Sequence, residues 1–227
     1  MIMLKSREEI ERMRRASGIV AEILLAVRER VRPGVSTEEL DQLAEELTRR
    51  RGARPAFKGY TVGGRQFPAS ICLSINDEVV HGIPSPRRVL REGDIVGLDF
   101  GVCYEGYYGD AAVTVPIGRV PPETGKLLRV TEECLYLGIE QMVPGKHLSD
   151  LSRAIQAHAE SHGFSVVREF GGHGIGRQMH EEPMVLNYVA QERGIRLGPG
   201  LVLAIEPMVN EGGSGVVLLD NKWTVVT

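Results

Sequence analysis

Two aspartates sit where a globular chain ordinarily places apolar residues. The stretch "GDIVGLDFGVCYEGYYGD", Gly93 to Asp110, reads as two apolar strands. Asp99 and Asp110 fall inside them, with no Lys or Arg between to neutralise either. If the strands form a hairpin turning at Glu105-Gly106, Tyr104 faces Tyr107 and Asp99 faces Ala112. Asp110 then points to the same face as Asp99, on the diagonal, roughly 7–8 Å away at the backbone. A slip of one residue would send the two to opposite faces. Two ionised carboxylates on one half-buried face repel, and keeping both desolvated is costly. A divalent cation between them removes that cost. A proton shared by the pair, or hydrogen bonds from backbone, are the other ways to hold them. A third acid, Glu206, ends the segment "GLVLAIE", which has the same layout as "GDIVGLD": glycine, apolar strand, acid.

A nitrogen ligand is available in "VVREFGGHGIGRQMHEEP", which reads as a strand, then a glycine-dense turn holding His173, then His180. Glycines around His173 let backbone crowd close to whatever the imidazole binds. One imidazole with several carboxylates suits divalent Mn, Fe, Co or Zn and is too rich in nitrogen for calcium. Phosphate binding at the same glycines fails in context. The following "RQMHEEPMVLNY" is a poor helix, so no helix N-terminus meets a pyrophosphate. Gly125-Lys126 is followed by Leu127 rather than Ser or Thr, so there is no P-loop. His158 and His162 have helical i, i+4 spacing, but an internal repeat places them at Leu47 and Arg51 of the first half, which favours helix packing and surface. His147, near a helix start, reads as exposed. His81 in "VVHGIP" closes a strand before a Gly-Ile-Pro break, and on the residues alone function and structure are balanced there.

The elements that must position these residues are legible through that repeat. "RPGVSTEELDQLAEELTRRRGA" from Arg32 and "VPGKHLSDLSRAIQAHAESHGF" from Val143 match at an offset of 111, and the acids Asp99 and Glu206 at 107. Two related halves follow, about 1–116 and 117–227, each with two helices and then antiparallel strands. That is an α+β fold with helices on one face of the sheet. Ser6-x-x-Glu9 and Ser36-x-x-Glu39 are capping boxes. Ile10, Met13, Ile23, Leu24 and Val27 form a helical stripe ended by Pro33-Gly34, and Pro121-Pro122 opens a third helix. Strands are predicted over 70–75, 78–81, 95–104, 107–115, 165–170, 201–206 and 215–226.

With 42% hydrophobic and 25% charged residues the chain has the makings of a full core. A net charge of −3 gives no general affinity for nucleic acid. The Arg49–Arg51 run matches the negative end of a helix dipole. Three separated cysteines without C-x-x-C point to reduced thiols in a cytosol. The charged N-terminus has no signal-peptide pattern, and no apolar run reaches membrane-spanning length.

Assembled, the pieces "SINDEVVHGIP", "GDIVGLDFG", "YYGDAAVT", "FGGHGIGRQMHEEP" and "LAIEPMVN" resemble the type I methionine aminopeptidases of bacteria over nearly the whole chain. The resemblance implies the pita-bread fold, a single catalytic domain over 1–227 built from two pseudo-symmetric halves. It implies two divalent metal ions (Co, Mn, Fe or Zn). Asp99 and Asp110 would ligate both, with Asp110 bridging, and His173 and Glu206 would hold the second. His81 would contact substrate near the scissile amide, and His180 would stabilise the tetrahedral oxygen. Glu206, besides its metal, would move the proton to the leaving amine. Tyr60, Phe67, Cys72 and Trp223 would line the methionine pocket, with Phe57 at its edge. The stretch "TVGGRQ" between Tyr60 and Phe67 is longer than the family's usual one.

The implied activity is removal of the N-terminal methionine from nascent proteins with a small second residue. The implied setting is a cytoplasmic monomer that meets the nascent chain and the ribosome and binds no membrane or specific nucleic acid. One departure stands out. The family's fifth ligand, a second bridging glutamate, lies on a strand beyond the Trp, whereas this sequence stops at Thr227. A missing last family strand implies a weakened second metal site and impaired activity. Two rival readings share the fold: an Xaa-Pro aminopeptidase, and a non-catalytic pita-bread peptide-binding protein.

Overall fold

The computed structural model describes residues 2–227. Four α-helices are present among them: α1 (Arg7–Arg28), α2 (Thr37–Arg50), α3 (Pro122–Glu140) and α4 (Leu148–Ser161). The strands of the first half are β1 (Arg54–Pro55), β2 (Thr61–Val62), β3 (Arg65–Gln66), β4 (Cys72–Ile75), β5 (Glu78–Val80), β6 (Ile95–Tyr104) and β7 (Tyr107–Pro116). Those of the second half are β8 (Ser165–Val166), β9 (Gly171–Gly174), β10 (Glu181–Leu186), β11 (Leu203–Ala204), β12 (Val209–Asn210), β13 (Val217–Leu218) and β14 (Val225–Val226).

Local sequence accounts for the helix ends. Ser6 and Ser36 each accept a hydrogen bond from the N3 backbone N–H while the N3 glutamate closes the box. Pro121-Pro122 begins α3, where a missing N–H costs nothing. The apolar stripe of α1 ends earlier than the Pro33-Gly34 pair, with Glu29 as C-cap.

The repeat has a structural counterpart. Both ends of α4 lie 111 positions after those of α2. Gly34 and Gly145, Gly52 and Gly163, and Gly93 and Gly200 share left-handed backbone at the corresponding points of the two halves. Each half also has its own core. In the first, Val20, Ile23 and Leu40 of α1 and α2 meet Val96, Leu98, Phe100 and Val102 of β6. In the second, Val130, Leu151 and Ile155 of α3 and α4 meet Val166 and Val185.

Strand β6 is the element that turns this packing into a site. Side chains alternate across a strand, and its even-numbered residues 96, 98, 100 and 102 are fully buried against the helices. The odd-numbered face therefore points away from that core, and it carries Asp99. The expected hairpin register is the observed one: Tyr104 opposite Tyr107, Asp99 opposite Ala112 and Gly101 opposite Asp110. Both Glu105 (φ 50°) and Gly106 (φ 80°) have left-handed backbone. A two-residue hairpin turn with that conformation at both positions follows the natural strand twist.

The strand map needs corrections in the second half. Residues 171–174, expected as a turn, form β9, the central strand of the antiparallel sheet β10-β9-β11. The segment around 181–186, given no strand by its pattern, is β10. The expected strands 165–170, 201–206 and 215–226 shrink to short pairings, because here the ladder hydrogen bonds are interrupted by loops. His147 is half-buried and caps α4 rather than standing exposed.

Candidate metal centre

The two halves meet at a cluster of acids and one imidazole. His173 Nε2 lies 3.5 Å from Asp110 Oδ2 and 3.2 Å from Glu206 Oε1. Ligand atoms of Asp110, His173 and Glu206 all fall within 4.8 Å of one another. Asp99 joins from the diagonal of the hairpin, outside this tight triad but close enough for its charge to be felt. The Asp110 side chain is 8% exposed and that of Glu206 30%.

Each residue arrives by a different route. Hairpin register delivers Asp110. The β9 ladder delivers His173, paired with Met184 on one side and Ala204 on the other. Glu206 follows two residues after β11. Its backbone carbonyl accepts a hydrogen bond from Asn187 Nδ2 at 2.8 Å. Asn187 is fully buried. Sequence reasoning passed over it, although a polar residue in "MVLNY" is the same signal that exposes Asp99.

The glycines flanking His173 serve the neighbouring strands rather than a bound ligand. A Cβ on Gly172 would stand 2.1 Å from the Ala204 carbonyl oxygen, and one on Gly174 would stand 2.3 Å from that of Glu182. Backbone cannot yield as a flexible side chain can. Gly172→Ala is therefore expected to pry β9 from β11 and to part His173 from Glu206. Overpacking ordinarily costs about 1–3 kcal/mol, and this rigid contact belongs at the upper end. A lowered melting temperature together with lost metal binding is the expected result. Parent-like melting and metal content would refute it.

The electrostatics describe a place made for a cation. Burial, then the Asp110 and Glu206 charges, push Asp99 well above the ordinary carboxylate range. Burial likewise lifts Asp110 to about 6. Burial opposes a charge on His173, but the Asp110 and Glu206 carboxylates, 3.5 and 3.2 Å from Nε2, outweigh it and raise the imidazole to about 10. Three buried side-chain oxygens nevertheless keep no hydrogen-bond partner among the described residues: Asn187 Oδ1 and, in the cluster itself, Asp110 Oδ1 and Glu206 Oε1. Glu206 Oε1 is near His173 yet out of line for a hydrogen bond. Orphaned buried acceptors are expensive, and a divalent ion satisfies the two in the cluster. Oxygens from carboxylates with one imidazole nitrogen, whose Nδ1–H donates to the Gly174 carbonyl at 2.8 Å, also match the way metal-binding histidines are held from behind.

A pH effect follows. A metal ligated by His173 would have to displace the proton that the imidazole holds below about pH 10. Affinity should therefore rise with pH by about tenfold per unit for that one proton, and protons should be released on binding. The metal-free chain should behave oppositely. The raised His173 contributes stability below its ordinary value of 6.5 that is lost as pH climbs through about 10, and Asp110 adds a loss between 3.8 and about 6. Calorimetry in buffers of different ionisation enthalpy measures the release. Binding without proton exchange at pH 8 would contradict this account.

Beside the centre lie the other expected residues. The His180 ring is 4.2 Å from that of His173, and the Tyr60 hydroxyl is 2.7 Å from His180 Nδ1. Burial, then the neighbouring His173 and His81, lower His180 to about 4, so it is neutral near pH 7. Burial also lowers His81. His81 adopts φ 59° and meets Phe170 and Trp223 edge-on. Phe67 and Cys72, both buried, form an apolar cluster with Ala69, Phe57, Ile83 and Trp223. Tyr60 lies outside that cluster, on His180 instead. Cys72 of β4 pairs with Asp99 of β6, so the apolar cluster abuts the sheet that carries Asp99 and Asp110. Phe170, Ala69 and Ile83 had no distinguishing mark in the sequence.

Residues 11–226 match the model of metallopeptidase family M24. The chain belongs to this family. Within M24 it falls among the methionine aminopeptidases: it is 52% identical to that of Clostridium acetobutylicum over all of this chain and 89% of the relative. The solved methionine aminopeptidase of Thermotoga maritima superposes with a TM-score of 0.96 at 44% identity, covering all of this chain and 90% of that one. The prolidase of Pyrococcus furiosus shares the fold at a TM-score of 0.78 and 24% identity, over 92% of this chain but 59% of its own. M24 enzymes use divalent cations, and the pita-bread architecture with its antiparallel sheets is that of the family. No helix among the described residues is long and apolar enough to cross a membrane.

Proposed function

We propose that this M24 enzyme removes the N-terminal methionine from newly made polypeptides whose second residue is small. The observation that carries the proposal is the adjacency of the acid–imidazole cluster to an apolar side-chain cluster, through the pairing of Cys72 with Asp99. Asp99, Asp110, His173 and Glu206 would hold two divalent ions of the Mn, Fe, Co or Zn class. When bound, such ions make water a competent nucleophile near neutral pH and polarise the scissile carbonyl.

The chain's own residues do the rest. Phe67, Cys72 and Trp223 take the methionine side chain, and Phe57 edges the pocket. Neutral His81, held between Phe170 and Trp223, offers a hydrogen bond near the scissile amide. Burial raises the Tyr60 hydroxyl, so it stays protonated and donates to His180 Nδ1. That fixes the His180 proton on Nε2, where it can donate to the oxygen that gains charge. Glu206, 30% exposed at the rim, carries the proton to the leaving amine. A cytosolic setting and encounter with chains leaving the ribosome fit the substrate.

Competition between Met-Ala-Ser and Ala-Pro-Ser peptides, with product amino acids identified, tests the reading. Methionine release should dominate by orders of magnitude. Preferred cleavage before proline would transfer the chain to the Xaa-Pro class, and absence of turnover with metal bound would favour a peptide-binding role.

A further inference from the structure

Helices α3 and α4 carry a second group of potential ligands, on elements that supply nothing to the centre described above. His158 lies in the last turn of α4 and His162, four residues on, is its C-cap, a spacing that brings the two side chains together. Their ring centroids are 4.5 Å apart. Glu133 reaches across from α3, with Oε2 2.7 Å from His158 Nε2. One ligand atom from each of the three lies within 4.8 Å of the other two. His162 Nδ1 is 3.0 Å from the His158 carbonyl, an acceptor only, so Nδ1 carries the hydrogen and Nε2 keeps its lone pair. A ligand histidine held from behind by a carbonyl is the usual outer arrangement at metal sites.

The internal repeat shows what this group replaces. The residues 111 positions earlier are Glu22, Leu47 and Arg51. There Arg51 donates from Nε to Glu22 Oε1 at 3.0 Å, an ordinary surface ion pair. The second half keeps the acid. It exchanges the guanidinium for an imidazole and the leucine for another. Arg129, one turn earlier on α3, makes only a loose ion pair with Glu133, Nε to Oε1 3.8 Å. The position that a cation fills in one half is thus faced in the other by a carboxylate and two imidazoles.

We propose that Glu133, His158 and His162 form a peripheral metal site that takes a borderline divalent cation, Zn(II) being the reference case, and clips α3 to α4. Two imidazoles and one carboxylate are a common zinc set and leave a fourth position for water. Ni(II) and Cu(II) suit the same donors. The ion would separate His158 from Glu133 slightly, since ligands of a tetrahedral zinc stand about 3.3 Å apart. Rotation of the half-buried Glu133 side chain supplies that shift.

The test is equilibrium dialysis of the full chain against Zn(II), comparing the parent with His162→Gln and Glu133→Gln. Each variant should bind one equivalent fewer than the parent, or bind it on the order of 100-fold more weakly, because losing even an outer partner costs 10–100-fold. Turnover should stay within about twofold once the centre is saturated. Part of the zinc-induced rise in melting temperature should vanish in both. If either variant keeps the parent's count and affinity, the cluster is only an ion pair between helices and the proposal fails. The second variant guards against a folding defect in the first.

Discussion

Replacing Asp110 by asparagine should abolish turnover while leaving the fold intact. The side chain keeps its size, so the β6–β7 ladder and the helix packing behind it are undisturbed. What disappears is the negative charge that faces His173 at 3.5 Å, and with it one of the two anionic oxygens a cation would bind. Metal chemistry supplies several kcal/mol of transition-state stabilisation, and each 1.36 kcal/mol is a factor of ten. Loss of about a thousandfold or more in kcat is expected. Metal content by mass spectrometry should fall with it.

The stability result is the more telling one. In the metal-free parent above pH 6, Asp110 is a buried carboxylate whose charge burial disfavours. Asparagine removes that cost, although it also removes one of the two acids that sustain the charge on His173. Metal-free Asp110→Asn should therefore melt no lower than the metal-free parent at pH 8, yet lose the share of the metal-induced stabilisation that the acid–imidazole centre supplies. A variant that folds, binds metal normally and turns over within tenfold of the parent would remove Asp110 from the centre.

What the sequence revealed and what it hid follow from the range of the forces involved. Asp99 and Asp110 were legible because strand alternation and hairpin register are local. The two capping boxes and the Pro122 start of α3 were legible for the same reason. Strand β9 was hidden, because Gly171, Gly172 and Gly174 signal a turn when read alone. Their reason for being glycine is the backbone of β10 and β11 pressing on both sides, which is a tertiary fact. The family resemblance places Tyr60 in the apolar pocket. Its placement on His180 depends on a contact between residues 120 positions apart. Glu133 drew no notice because nothing in α3 announces where α4 will lie. The pattern of His158 and His162 alone points to packing and surface, and only the neighbouring helix brings Glu133 beside them.

The placement of Tyr60 bears on the second large effect, that of His180. A neutral imidazole at pH 7 is required for it to stabilise developing negative charge without first losing a proton to the nearby acids, and its lowered value of about 4 provides that. Removing a single donor of this kind ordinarily costs about 10²–10³ in kcat. His180→Ala should show that loss with KM changed only a few-fold, because the apolar pocket around Phe67 and Trp223 is untouched. Metal content should also be unchanged, because His180 lies outside the ligand triad. Tyr60→Phe makes the distinction sharper. Without the hydroxyl, nothing holds the proton on Nε2, so part of the population presents the wrong nitrogen. The expected result is a smaller fall in kcat, about tenfold or less, with no further loss when Tyr60→Phe is added to His180→Ala. Independent, multiplying losses would mean that Tyr60 acts on substrate directly and not through the imidazole. An unaltered kcat in His180→Ala would take the oxygen-stabilising role away from His180 altogether and leave it to His81.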